Sequence, residues 1–372
     1  MFKPLSEIDK HLPMPPGGEN DLYLSADQAP LEMTGQVPGP RDGYRRLDHA
    51  RVALLAAQGV NEGAQGLLGN PAGVTVRFRT DSPTIALSVR LGNLVHFSHF
   101  ALTGSRGIAV YVGSGTDRRF MGVSHPEPAP EVVHTARIQP VESDLPPAVL
   151  INGRAMREWQ LYLPIYNDLE ALAVGVARGS TIIPPAPYTY QKPILFYGSS
   201  ITQGGCASHP GNTYTAMVTR WLDIPQINLG FSGSAKGELA MADLIAAQDI
   251  ACFVMDLDHN MESVDALRER HEPFFKRVRE AQPDLPVIIM TKPDFEFGIE
   301  LNKQRRRVIR KTYLNAVRAG DRRVWFVDGQ TLFGKRGRDS CTVDRCHPND
   351  LGFYRMARHI EPLLRSILNG QA

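Results

Sequence analysis

Two serines close an apolar run in "PILFYGSSITQGG", where Ile194, Leu195, Phe196 and Tyr197 give way to Gly198, Ser199 and Ser200. A serine at the end of a buried strand can cap a helix, or it can be a nucleophile held where α/β sheets present their ligands. Far downstream, "DRCHPND" places Asp344 and His347 three residues apart in one loop. Acyl transfer by serine needs a nucleophile, a base to take its proton, a group to orient the base and donors for the oxyanion. Ser200 can attack, His347 can act as base and Asp344 can hold the other ring nitrogen. Between them, "NLGFSG" supplies the backbone N–H of Gly233 and "DLDHNM" the side-chain amide of Asn260. With the N–H of Ser200, these donors could converge on an oxyanion. The plainer alternative makes the serines a turn and Asp344 a helix cap. The presence of every part at the ends of one strand pattern favours catalysis.

Other polar residues are more ambiguous. His259, beside Asn260, could line a pocket or be structural, and Lys292 and Asp294 could bind substrate or pair with each other. Glu158 and Trp159, with Tyr162 in "REWQLYLP", could present an acidic, aromatic edge to a sugar, although Trp and Tyr also pack sandwich cores. Glu158, Trp159 and His259 are therefore the candidate substrate-binding residues. Cys206 lies close to Ser200 but has no base spaced for it, and reads as a small filler. Four cysteines with no second pair at zinc-finger spacing argue against a structural zinc site, and neither a metal nor a cofactor is expected. Whether Cys341 and Cys346 form a disulfide stays open.

The elements that must position these groups fall into two regimes. Up to about residue 185, short segments alternate apolar and polar residues with period two, as in "VTVRFR", "TIALSVR" and "IAVYVG". With turn residues between them, they predict an antiparallel sandwich or jelly roll. "ARVALLAAQG" could be helical. The proline-rich stretch around 186–193 predicts a stiff linker. From 194 to 372, almost continuously apolar runs ("PILFYG", "QINLGF", "ACFVMDLD", "PVIIMTKP", "VWFVDG") alternate with helical patterns. That rhythm predicts a five-stranded parallel sheet with helices on both faces. Asn212 reads as a helix cap, and Pro273 predicts a turn followed by a new helix.

Composition excludes several partners. Lys and Arg number 41 against 39 Asp and Glu, a net charge of +2, which makes no electrostatic case for nucleic acid or an anionic membrane. No apolar stretch approaches the roughly 20 residues of a membrane span. The N-terminal residues lack the apolar core of a signal peptide, so a cytoplasmic chain is expected. The chain could assemble as a homo-oligomer, and the sequence does not say.

The four blocks "FYGSSITQGG", "NLGFSG", "DLDHNM" and "DRCHPN", in this order, resemble the SGNH (GDSL-type) hydrolase superfamily of esterases and lipases. The resemblance implies a flavodoxin-like sheet, a Ser200–His347–Asp344 triad and an oxyanion hole from Ser200, Gly233 and Asn260. Ser199 stands where the family usually has aspartate, Asp258 where it has glycine and Met261 where it has a second aspartate. "ENDLYL" is similar to the Gly-x-Asp-Leu-Tyr signature of a subgroup with an N-terminal β-domain, with Glu19 in place of the glycine. On this resemblance a serine esterase is expected, acting on a small acyl ester, acetyl foremost, of a carbohydrate or similar polar substrate. The alternatives are thioester, peptide or glycosidic hydrolysis on the same fold, or a non-catalytic sugar-binding module.

Overall fold

The five apolar runs of the C-terminal half form one parallel sheet: Ile194–Gly198, Gln226–Gly230, Cys252–Asp256, Val287–Met290 and Val324–Val327. The computed structural model describes residues 2–371. Numbered along the chain, the strands lie side by side in the order 2-1-3-4-5. The first strand is therefore interior, and Gly198 is level with Gly230 on one side and Asp256 on the other. Period-two alternation sends successive side chains to opposite faces. Leu195, Tyr197, Phe253 and Met255 pack on one face with the helices Leu239–Ala246, Val264–Ala281 and Ile299–Arg318. Ile194, Phe196, Cys252 and Val254 pack on the other with the helices Tyr214–Leu222 and Asp350–Leu368.

The N-terminal half is built from two antiparallel sheets. One is four-stranded; the other has a five-strand path with two further strands paired to it. Leu24, Leu87, Val89, Leu172 and Val174 of the first sheet meet Val76, Phe78, Val110, Trp159 and Leu161 of the second in one apolar core. Helices at His49–Ala57 and Glu62–Leu67 leave this sandwich. They carry Leu55 and Ala64 into the core of the parallel sheet.

Three local expectations need correction. The cap of the helix Tyr214–Leu222 is Thr213, whose Oγ1 accepts from Ala216 N–H at 3.1 Å. Asn212 sits one residue earlier in a 3-10 turn and donates instead to Asp350. Pro273 starts no new helix: Val264–Ala281 runs through it, because Leu267, Phe274, Phe275 and Val278 keep one apolar stripe buried on both sides of it. The edge proposed to face a sugar is interior. Arg154–Tyr162 is a central strand between Thr75–Thr80 and Ala109–Val112. Trp159 is buried in the sandwich core, and Glu158 is buried on the opposite face. Neither side chain can reach a ligand from there.

Glu158 serves the joint between the halves. Arg118 reaches Glu158 at 3.2 Å and Asp223, in the parallel-sheet half, at 2.8 Å. Arg77 pairs with Glu158 at 2.5 Å and lies over the Tyr188 ring. Glu158 also accepts the Ala186 N–H, and Asp223 accepts from Thr189, so the proline-rich segment is held to the sandwich at Ala186 and to the parallel-sheet half at Thr189. Breaking a buried ion pair from one side costs about 3–5 kcal/mol, because a charge is left uncompensated. Arg118→Met is expected to destabilise the protein by an amount in that range, read as a shift of the urea midpoint. An unshifted midpoint would mean that the clamp contributes nothing.

Candidate active site

The first strand ends in Gly198 because nothing larger fits. A Cβ there would lie 2.2 Å from Thr202 Oγ1 and 2.8 Å from the Asp256 carbonyl. The chain then turns into the short helix Ser200–Gln203, capped by Ser199, whose Oγ accepts from Ile201 N–H at 3.2 Å. Ser199 is thus occupied in holding the turn. Ser200, buried but not sealed, places its Oγ 2.9 Å from His347 Nε2.

His347 comes from the loop before the last helix. Its Nδ1 lies 2.7 Å from Asp344 Oδ2, while Asp344 Oδ1 accepts the backbone N–H of His347 at 2.7 Å and of Cys346 at 3.0 Å. A positive φ of 68° at Arg345 makes this tight turn. Burial alone would push the Asp344 carboxyl up, but the bonds from the His347 ring and backbone outweigh it and hold the carboxyl below its usual range. A carboxylate can only accept, so the ring proton resides on Nδ1 and the lone pair of Nε2 faces Ser200. That is the tautomer a general base requires. The loop is tied to the first one: Asp350 accepts from Ser208 N–H at 2.9 Å, from Ser208 Oγ at 2.5 Å and from Asn212 at 3.1 Å.

The oxyanion candidates stand at the ends of three adjacent strands. The Ser200 N–H opens a helix, where the first N–H groups have no intrahelical acceptor. Gly233 has φ +68° in the turn after the second strand, and its N–H has no protein acceptor among the described residues. Asn260 Oδ1 accepts the Ala235 N–H at 3.2 Å, which leaves the amide NH2 as the free end of that side chain.

His259 turns away from this row of donors. It lies 2.8 Å from Asp294 and 3.6 Å from the Cys346 sulfur, while Asp294 also pairs with Lys292 at 3.1 Å. Desolvation opposes charge on the ring, but the Asp294 carboxylate prevails and pushes it up to about 10. His259 thereby links the third and fourth strand ends to the Asp344–His347 loop. Asp258, where the resembled motif has glycine, anchors Arg305 of the neighbouring helix at 2.7 Å and accepts the Lys292 N–H at 3.0 Å. All four cysteines are free thiols, so Cys341 and Cys346 do not pair.

Residues not singled out in the sequence come from the sandwich. The connection after Ile85–Leu91 brings the His99 ring 5.6 Å from the His347 ring, with His99 Nε2 3.8 Å from Asp344 Oδ2. Phe100 lies edge-on to His347 at 6.0 Å and to Tyr166 at 4.7 Å. The available signal was "NLVHFSHF", an aromatic-rich stretch that breaks the period-two pattern.

Comparison with known proteins bears on the family and the fold. Residues 191–365 match the GDSL-like lipase/acylhydrolase family, and residues 22–182 match the N-terminal domain of SGNH-hydrolase-type esterases. A protein assigned as a GDSL-like lipase from Bacteroides ovatus shares 27% identity over 94% of this chain and 98% of its own, with a TM-score of 0.80. The salicylyl-acyltransferase SsfX3 of a tetracycline biosynthetic pathway shares the fold at 17% identity, covering 94% of this chain and 98% of its own, with a TM-score of 0.72. A family two carbohydrate esterase from Clostridium thermocellum, solved with cellohexaose, shares it at 15% identity, covering 80% and 93%, with a TM-score of 0.55. Among curated proteins none matches the chain. No described helix is long and apolar enough to cross a membrane.

Proposed function

Since the chain belongs to the GDSL-like lipase/acylhydrolase family and carries the N-terminal domain of SGNH-type esterases, we propose that it is a serine esterase removing a small acyl group, acetyl foremost, from a carbohydrate or similar polar alcohol. The observation that carries this reading is the hydrogen-bonded series Ser200 Oγ, His347 and Asp344, at 2.9 and 2.7 Å. In the first step Ser200 Oγ attacks the ester carbonyl carbon while His347 Nε2 takes its proton. The oxyanion receives hydrogen bonds from the N–H groups of Ser200 and Gly233 and from the Asn260 amide; each such donor is typically worth about 2.7–4 kcal/mol. Collapse expels the alcohol, which takes the proton from His347. Water, deprotonated by the same nitrogen, then attacks the acyl carbon, and His347 returns the proton to Ser200 Oγ as its bond to the acid breaks.

The carbohydrate part of the reading draws on fold relatives described as carbohydrate esterases. Because His347 must be neutral to act, kcat/KM is expected to fall toward acid pH. A fluorophosphonate should form one adduct, on Ser200, and the enzyme should release acetate from acetylated oligosaccharides. An adduct mapped elsewhere would remove the nucleophile assignment. Cleavage of long-chain esters without acetate release would remove the substrate assignment.

A further inference from the structure

His99, Cys206 and His347 come from three separate segments: the sandwich connection, the loop after the helix Ser200–Gln203, and the loop before the last helix. Each offers one metal-ligating atom, and the three atoms lie within 4.8 Å of one another. We propose that they form an inhibitory site for a soft divalent transition-metal ion, zinc foremost, which switches the esterase off by taking the nitrogen that His347 needs as base.

The donor set selects the ion. Two imidazoles and a thiol suit zinc and its neighbours, whereas magnesium and calcium require oxygen ligands. Zinc–sulfur and zinc–nitrogen bonds of about 2.3 and 2.0–2.1 Å place tetrahedral ligands roughly 3.3–3.8 Å apart, so the trio has to close by about an ångström. His99 can supply that movement, since its side chain is 34% exposed on a connection outside the regular strands. Cys206 is already fixed, buried at φ +71°. The ring proton of His347 is on Nδ1, held by Asp344, so the only lone pair it can give a metal is that of Nε2. Binding there displaces the Ser200 hydroxyl, and the serine loses its proton acceptor. The Cys206 thiol must release its proton to solvent as the metal–sulfur bond forms. The other thiol–imidazole group, His259 with Cys346, differs because its imidazole nitrogen is already engaged by Asp294.

This inference uses the esterase reading only for the word inhibition; metal binding itself does not depend on it. In the Ser200→Ala protein, cobalt(II) is expected to give a near-ultraviolet thiolate-to-cobalt absorption band that Cys206→Ser abolishes. In the enzyme with Ser200 intact, zinc chloride should suppress p-nitrophenyl acetate hydrolysis reversibly, with recovery on adding EDTA. His99→Ala and Cys206→Ser, each referred to its own metal-free rate, should raise the half-inhibitory zinc concentration by more than about tenfold. Cys346→Ser should leave that concentration where it is. No cobalt–thiolate band, or a zinc response in His99→Ala and Cys206→Ser as strong as that of the unsubstituted enzyme, would overturn the site. His99→Ala alters an exposed side chain, so the test does not hang on the folding of the cysteine variant.

Discussion

Ser200→Ala is expected to lower kcat by up to roughly 10^6-fold, the scale on which a serine hydrolase responds to loss of its nucleophile. Ser199→Ala should keep most of the activity. The two serines are adjacent and both are buried, so accessibility does not separate them; their hydrogen bonds do. Ser199 Oγ accepts from the Ile201 N–H, which makes it the cap of a one-turn helix. Ser200 Oγ faces the unprotonated nitrogen of His347. Loss of the cap costs about 1 kcal/mol and should appear as a lower melting temperature, with little change in kcat. Burst kinetics with p-nitrophenyl acetate on both variants distinguish the roles. A Ser199→Ala enzyme as inactive as Ser200→Ala, yet fully folded, would show that the turn geometry, and not one hydroxyl, limits the chemistry.

The parallel sheet could be read from the sequence because its strands are covered on both faces. Burial on both sides leaves a short apolar run with little polar content, and five such runs alternating with amphipathic helices admit few arrangements. Asp344 and His347 were legible for a related reason: both lie in one loop, and their contact needs no long-range folding. The failures share the opposite property. Glu158 looked like a surface carboxylate because its neutralising partners, Arg77 and Arg118, are 81 and 40 residues away. Trp159 follows the same period-two rule whether its face meets sugar or another sheet, and only the second sheet decides. Pro273 reads as a break until the buried stripe on both sides of it is known. His99 has no periodicity to expose it, and its neighbour His347 lies in the other half of the chain.

Asp344→Asn is expected to reduce kcat by about 10^4-fold while leaving the fold in place, and the reason lies in which atom the substitution changes. Asp344 Oδ1 accepts two backbone N–H groups, from Cys346 and His347. An asparagine must keep an oxygen there to satisfy them, so its NH2 replaces Oδ2 and points at His347 Nδ1. That nitrogen then has to accept, and the ring proton moves to Nε2. Nε2 now donates toward Ser200 and cannot take the serine's proton, although every heavy atom stays where it was. The loop keeps both backbone bonds, so the melting temperature should hardly move; Asp344→Ala, which removes them, should lose stability as well as rate. The nearest other ring is His99, whose Nε2 lies 3.8 Å from Asp344 Oδ2. An imidazole at that distance does not replace a carboxylate hydrogen-bonded at 2.7 Å. Measuring kcat and melting temperature for Asp344→Asn and Asp344→Ala together tests the tautomer argument. A rate that is unchanged in Asp344→Asn would mean that the carboxylate does not orient the base.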